Sequence, residues 1–363
     1  MAFTSIRLSS FRNLRDAEVS VAADRVLLIG ENGQGKTNFL EALYYLSYGS
    51  SFRGSSDAEA VRAGTSSFSL IGSFRADSAD LSVPDQAISV GWEDGAKSIK
   101  IDGKPVRDRK ELVERNPAII FCHEDYAFSA GEPERRRFFF DQTAGLVSLG
   151  YIDVLRDYKR ILKQRNATLK EGRQEIIGLL DVQLAGKGLE LMEARARLQR
   201  DLSGKFASRF EAVSLLGEDV RIAYRPNWPN DRGMDGILEK LESRRAEEFA
   251  LGTSLSGPHR DRWSFVSNSC DFAAKASTGQ LRLLSLTLRM VQAEYFTEVV
   301  GRLPVLLLDD VLLELDRGKR SRFLDLLPTS AQAFFTFLPG ESWEENRTGT
   351  SLVYGVRDGQ VSV

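Results

Sequence analysis

The run Gly30-Glu31-Asn32-Gly33-Gln34-Gly35-Lys36-Thr37 limits what this chain can become more than any other stretch. It fits G-x-x-x-x-G-K-[ST] at every fixed position. The apolar run before it, Val26-Leu27-Leu28-Ile29, has the character of a buried strand, and Asn38-Phe39-Leu40-Glu41-Ala42-Leu43-Tyr44-Tyr45-Leu46 after it reads as a helix. Strand, glycine-rich loop and helix in that order make a phosphate cradle. Glycines let backbone N–H groups turn inward around phosphate oxygens, where a side chain would block the approach. The helix N-terminus adds partial positive charge. On this reading residues Gly30 to Asn38 line ATP, Lys36 reaches its β- and γ-phosphates, and the Thr37 hydroxyl ligates Mg²⁺. The plain alternative, a glycine-rich turn with a surface lysine, does not account for the flanking elements.

A second apolar strand, Val305-Leu306-Leu307-Leu308, ends in Asp309-Asp310. One acid at a strand's C-terminal end can hold Mg²⁺ through water, and a second can orient or deprotonate the attacking water. Asp309 is assigned to the metal and Asp310 to the water, so Lys36, Asp309 and Asp310 form the expected catalytic set. Between the two halves, Ser277-Thr278-Gly279-Gln280 precedes a helix predicted from Leu281. Ser277, Gly279 and Gln280 at a helix start can bind an anion, although an ordinary N-cap has the same composition. Their place between P-loop and acidic strand resembles the order of ABC-type ATPases. In that architecture the serine reaches the γ-phosphate of ATP held by a second subunit, which implies an ATP-dependent homodimer with two shared sites.

At 363 residues the chain suggests two lobes, and 42% hydrophobic with 28% charged residues is the balance of a soluble globular protein. No apolar stretch approaches the roughly 18–20 residues of a membrane span, and no secretory leader is visible, so the expected location is the cytoplasm. Cys122 and Cys270 have neither metal nor redox spacing; Cys122 is expected to be a packed free thiol. The net charge of −2 does not advertise nucleic-acid binding, but residues 151–210 carry 13 Lys+Arg against 8 Asp+Glu. Such a local excess suits a phosphate-binding face or a solvated helix surface.

Period-two alternation predicts strands at Ile6–Phe11, Ala17–Val21, Phe68–Phe74 and Ala87–Trp92, with Ser98–Lys104 entering a tight turn. The stretch from Leu81 to Val106 reads as an antiparallel addition. From Pro133 to Gly217 the apolar spacing becomes helical. A strand at Val220–Tyr224, a loop at Pro226–Gly236 and a charged helix at Ile237–Phe249 follow. The expected class is α/β: a P-loop ABC-type ATPase head with a mixed sheet and antiparallel addition (1–120 and 255–363), plus a compact helical lobe (121–254). About 80 residues of helix, rising 1.5 Å each, exclude a long coiled-coil arm.

Across nearly its whole length the chain resembles the RecF family of bacterial ATPases. Phe11-Arg12-Asn13-Leu14 is similar to the family's F-R-N segment, and Phe52-Arg53 stands where it has an arginine after the first helix. The likeness continues through Glu124-Asp125, Arg135-Arg136-Arg137-Phe138, Gln164-Arg165-Asn166, Gly257-Pro258-His259-Arg260-Asp261 and Leu307-Leu308-Asp309-Asp310-Val311 with Glu314-Leu315-Asp316. His123 departs from the usual proline, Arg262 from a common second acid, and Leu281 from a second glutamine.

The resemblance implies slow, DNA-stimulated ATP hydrolysis and ATP-dependent dimerisation on duplex or gapped DNA. It also implies that RecR, with RecO, is a partner in loading RecA on single-stranded gaps in recombinational repair. It adds Arg12 and Asn13 to the nucleotide contacts, and it favours DNA contacts by Arg135, Arg136, Arg137, Lys159, Arg160 and Lys163. His259 is expected to be a structural joint rather than a proton-transfer group, and Thr336 either senses the γ-phosphate or simply ends its strand. The alternatives are a transporter's nucleotide-binding subunit, against which Thr278 and Thr336 argue, and an ATP-gated DNA clamp without appreciable turnover.

Overall fold

The computed structural model describes residues 2–75, 85–229, 231–344, 347 and 349–362. The chain divides into two compact units, Met1–Asp125 with Gln292–Val363, and Tyr126–Val291.

The first unit is built on two six-stranded sheets. One is antiparallel and runs Ala17–Ser20, Ala2–Ser9, Ser67–Arg75, Gln86–Glu93, Ala96–Ile101, Lys104–Pro105 in spatial order. The expected start of this addition, Leu81, lies outside the described residues; its later strands and the Asp102-Gly103 turn are present. The other sheet runs Gln360–Ser362, Ser351–Arg357, Arg25–Ile29, Gln332–Phe337, Val305–Leu308, Ala118–Phe121, parallel except at its first pair. Val305–Leu308 and Ala118–Phe121 are continuously apolar and buried, as strands of a parallel sheet covered on both faces are. This order places Gln332–Phe337, the strand of Thr336, between the P-loop strand and the acidic strand. The helix Lys36–Tyr48 starts on the P-loop and is buried on nearly every side, with Phe39, Leu40, Leu43 and Tyr45 in a core shared with Phe3, Phe11, Phe68, Leu307 and Phe334. Cys122 is buried, as expected.

The second unit holds the helices Pro133–Val147, Leu149–Lys170, Ile177–Ser214 and Gly233–Leu251. The run near 176–210 is one helix of 38 residues, which its glycines do not interrupt. A small sheet of Cys270–Asp271, Arg262–Ser267 and Arg221–Arg225 completes the unit. Here the expected boundary at 255 is corrected. Arg262–Ser267 pairs along Arg221–Arg225, so residues 255–291 stay with the helical unit, and the chain returns to the first unit only within the long helix Thr278–Val300. Cys270 is exposed. Among the described residues no helix is long and apolar enough to cross a membrane.

Candidate nucleotide site

The loop 30–35 leaves the strand Arg25–Ile29 at its C-terminal end, where ligands bind in open α/β sheets. Gly30 is fixed by a close approach: a Cβ there would lie 2.3 Å from the Val356 carbonyl oxygen. Lys36 is 3% exposed and folds back so that Nζ donates to the Gly30 carbonyl at 2.7 Å and the Glu31 carbonyl at 3.2 Å. Asn13 braces the loop from outside. Its Nδ2 donates to the Gly33 carbonyl at 3.0 Å, and its Oδ1 accepts from Asn38 Nδ2 at 2.7 Å.

Arg12 is committed elsewhere. Its guanidinium grips the fully buried Glu41 at 2.8 and 3.0 Å and reaches Ser55 Oγ and the Glu59 carbonyl. Arg53 lies 3.7 Å from the same carboxylate. Glu41 thus carries the base of the site, a role its helical position alone did not reveal.

Thr37 and Asp309 are 272 positions apart, yet the Thr37 hydroxyl donates to Asp309 Oδ1 at 2.8 Å. Burial raises the Asp309 carboxyl to about 6; Thr37 works against the rise, while Asp310 adds to it. Asp310 is held in a left-handed backbone conformation, φ 51°. Thr336 holds it there: Thr336 Oγ1 accepts from the Asp310 N–H at 2.7 Å, lies 2.8 Å from Asp310 Oδ1, and is 3.3 Å from Asp309 Oδ1. Strand termination does not describe this residue, since its hydroxyl ties both acids together.

A hairpin missed in the sequence closes the loop from the far end of the chain. Asp358 N donates to Gln34 Oε1 at 2.6 Å, and Gly359 N donates to the Gln34 carbonyl at 3.0 Å. The Asp358-Gly359 turn takes positive φ at both residues, the familiar Asp-Gly hairpin signal. Gly359 is obligatory, because a Cβ would sit 1.9 Å from the Asn13 carbonyl oxygen.

The remaining candidates lie in the second unit. Ser277 and Gln280 cap the helix Thr278–Val300 reciprocally, Ser277 N donating to Gln280 Oε1 at 2.7 Å and Gln280 N to Ser277 Oγ at 3.3 Å. This is a capping box. Ser277 and Gly279 are exposed. Arg135 is exposed, whereas Arg136 donates to the Trp263 carbonyl at 3.1 Å and Arg137 to the Asp261 carbonyl at 3.0 Å. Lys159, Arg160 and Lys163 are exposed on Leu149–Lys170, with Arg160 held 3.0 Å from Asp157.

The Gln-Arg-Asn and Gly-Pro-His-Arg-Asp segments turn out to be structural. Buried Arg165 meets Asp181, Glu248 and Ser254 Oγ, each at 2.7 Å, and Asn166 Oδ1 accepts from Ser254 N at 2.8 Å. Arg195 reaches Asp141 at 2.9 Å and Asp261 at 2.7 Å, and Asp261 also accepts from Tyr224 and from Asn227 N. His259 Nδ1 is 2.7 Å from Tyr158 Oη. Burial, reinforced by neighbouring arginines, lowers this imidazole to about 4, so it is neutral at pH 7. The joint it forms lies inside the second unit.

The family description RecF/RecN/SMC N terminal domain matches residues 2–357. A DNA replication and repair protein RecF from Treponema pallidum (strain Nichols) is 40% identical over 96% of this chain and 98% of its own length. One from Cyanothece sp. (strain PCC 7425 / ATCC 29141) is 33% identical over 93% and 91%. A solved structure of the recombination mediator protein RecF-ATP in the RecFOR pathway superposes with a TM-score of 0.87 at 27% identity, covering 99% of this chain and 98% of that one. An Smc head bound to the C-terminal winged-helix domain of ScpA, 15% identical with a TM-score of 0.60, shares the fold.

Proposed function

The chain belongs to the RecF family of RecF/RecN/SMC ATPases, and from that premise we propose that it binds and slowly hydrolyses ATP in recombinational DNA repair. The observation that carries the reading is the 2.8 Å contact between Thr37 and Asp309, which joins the two distant halves of a phosphate site. Lys36 turns from the loop carbonyls to the β- and γ-phosphates, and the backbone N–H groups of 33–37 take the remaining oxygens. Arg12, whose N–H groups are taken by Glu41, Ser55 and the Glu59 carbonyl, would meet the nucleotide only by stacking of its guanidinium. Asp310, pinned by Thr336, orients the attacking water.

The donor set fits Mg²⁺: a hydroxyl and a single carboxylate, with phosphate oxygens and water completing the shell, is its usual protein environment. Thr37 and Asp309 would hold it. The raised Asp309 carboxyl agrees, since its ionised form is poorly solvated there and a cation would compensate its charge. Held by Thr37 and Asp309, the ion would supply positive charge against the phosphates.

Hydrolysis is proposed to require two copies of the chain, the exposed Ser277 and Gly279 of one facing the γ-phosphate held by the other. The dimer is proposed to close on duplex or gapped DNA, using the exposed Arg135, Lys159, Arg160 and Lys163, and to act with RecO and RecR in placing RecA. Sedimentation with ATP, ADP and no nucleotide, each with and without duplex DNA, tests this. A dimer only with ATP supports it; a monomer that hydrolyses ATP at full rate contradicts it.

A further inference from the structure

We infer that a cleft within the second unit, walled by the Gly257–Arg260 turn and the start of the helix Pro133–Val147, binds a phosphate group. The cleft has a volume of about 540 Å³ and is lined by Arg137, Arg260, Arg262, His259 and Asn227, with Glu132 and Glu134 on the same lining. Its three guanidiniums are the basis of the assignment. Arg137 is half-buried and bonds only a backbone carbonyl, that of Asp261. Arg260 is exposed and meets only the Ser254 carbonyl, at 3.1 Å. Arg262 is exposed. Among the described residues none of the three forms an ion pair with a carboxylate, the two glutamates included.

A half-buried guanidinium without a carboxylate partner is unusual, because desolvating its charge is costly unless something compensates. Asn227 Oδ1 accepts from Gly257 N at 2.9 Å, which leaves its NH₂ as a further donor in the lining. The field inside the cleft agrees with the geometry. Next to burial, the charges of Arg260, Arg137 and Arg165 lower the His259 imidazole. Planar forks of N–H donors converging from two elements are suited to bidentate phosphate recognition. The ligand class is therefore a phosphate, either a diester in a nucleic-acid backbone or a free phosphate monoester. This inference does not depend on the nucleotide site, and it holds whichever of the exposed cations between 135 and 163 touch DNA.

The test uses the full chain with ATP for the oligonucleotide titrations, and the full chain carrying Lys36→Met for the phosphate titration, so that the P-loop does not take that ligand. Two double variants are compared with each, Arg260→Gln with Arg262→Gln, and Glu132→Gln with Glu134→Gln. Labelled duplex and single-stranded oligonucleotides are titrated across a salt series, and inorganic phosphate is titrated by calorimetry. For a backbone ligand the arginine pair should weaken oligonucleotide binding about tenfold and flatten the salt slope by about two, roughly one for each lost phosphate contact. For a free monoester the same variant loses phosphate binding and keeps its oligonucleotide affinity. In either case the glutamate pair should tighten the same ligand several-fold, a gain that no loss of folding produces. If neither pair changes either ligand, the cleft is not a phosphate site.

Discussion

Each unit of this molecule buries a set of polar side chains, and the two sets are finished to different degrees. In the second unit Arg195 is surrounded by Asp141, Asp261, Tyr151 and the Pro258 carbonyl, and Arg165 by Asp181, Glu248 and Ser254. Each guanidinium nitrogen of these two arginines has a polar or ionic partner within about 3 Å, and the consequence is rigidity. In the first unit Lys36 rests on two carbonyls, and burial raises the Asp309 carboxyl while only one hydroxyl, that of Thr37, donates to it at under 3 Å. These groups are held in place with bonding capacity in reserve, which is what a site awaiting a charged ligand requires. The Gln-Arg-Asn and Gly-Pro-His-Arg-Asp segments thus hold the second unit together, and the P-loop and acidic strand are where the proposed chemistry would take place.

The largest expected effects separate chemistry from scaffold. Asp310→Asn should lower kcat by about 10²–10⁴-fold with ATP affinity and melting temperature unchanged, measured by steady-state turnover and calorimetry. Arg195→Met should do the reverse, leaving Asp141 and Asp261 buried without their cation and destabilising the second unit by about 3–5 kcal/mol in denaturant unfolding. Equal damage to folding in both variants would erase the contrast.

Acid titration sharpens it. The folded pKa of His259 is depressed to about 4 from an ordinary 6.5. Its contribution is full above pH 6.5 and is lost as pH falls through 4, about 2 kcal/mol in all. His259→Phe should flatten the stability profile in that window. Asp309 has the opposite sign: its folded pKa is raised, so its contribution is present below 3.8 and gone as pH rises through 6. At pH 7 the ionised acid weighs on the folded state, and Asp309→Asn should raise stability by about 1–2 kcal/mol while abolishing turnover. A destabilised Asp309→Asn would contradict the idea of a group held in reserve.

The smallest effect should come from Thr336→Ser, which keeps the hydroxyl and should hold kcat within about threefold of wild type, whereas Thr336→Val should lower kcat at unchanged ATP and ADP affinity. A selective loss of ATP affinity in the valine variant would mean that Thr336 touches the γ-phosphate instead.

The strand, loop and helix around Gly30–Thr37 were legible because local spacing alone specifies them. So were the acids, since an apolar run ending in Asp309-Asp310 has few other readings. The Thr336 bridge, the Glu41 clamp on Arg12 and the Gln34 contact with Asp358-Gly359 were not, because each joins residues made neighbours only by sheet order. The Asp-Gly pair did announce a hairpin; nothing local announced where that hairpin would dock. The unit boundary was misplaced for the same reason, since the pairing of Arg262–Ser267 with Arg221–Arg225 is nonlocal.

Complementation between two damaged chains tests the shared site most directly. Lys36→Met lacks a working P-loop, and Ser277→Arg blocks the exposed helix start of the other half. Neither alone should hydrolyse ATP. Mixed in equal amounts, they should regain about a quarter of wild-type turnover, because half of the dimers are mixed and each has one undamaged site. Wild-type turnover by Ser277→Arg alone, or none in the mixture despite mixed dimers, would contradict a site completed by a second copy.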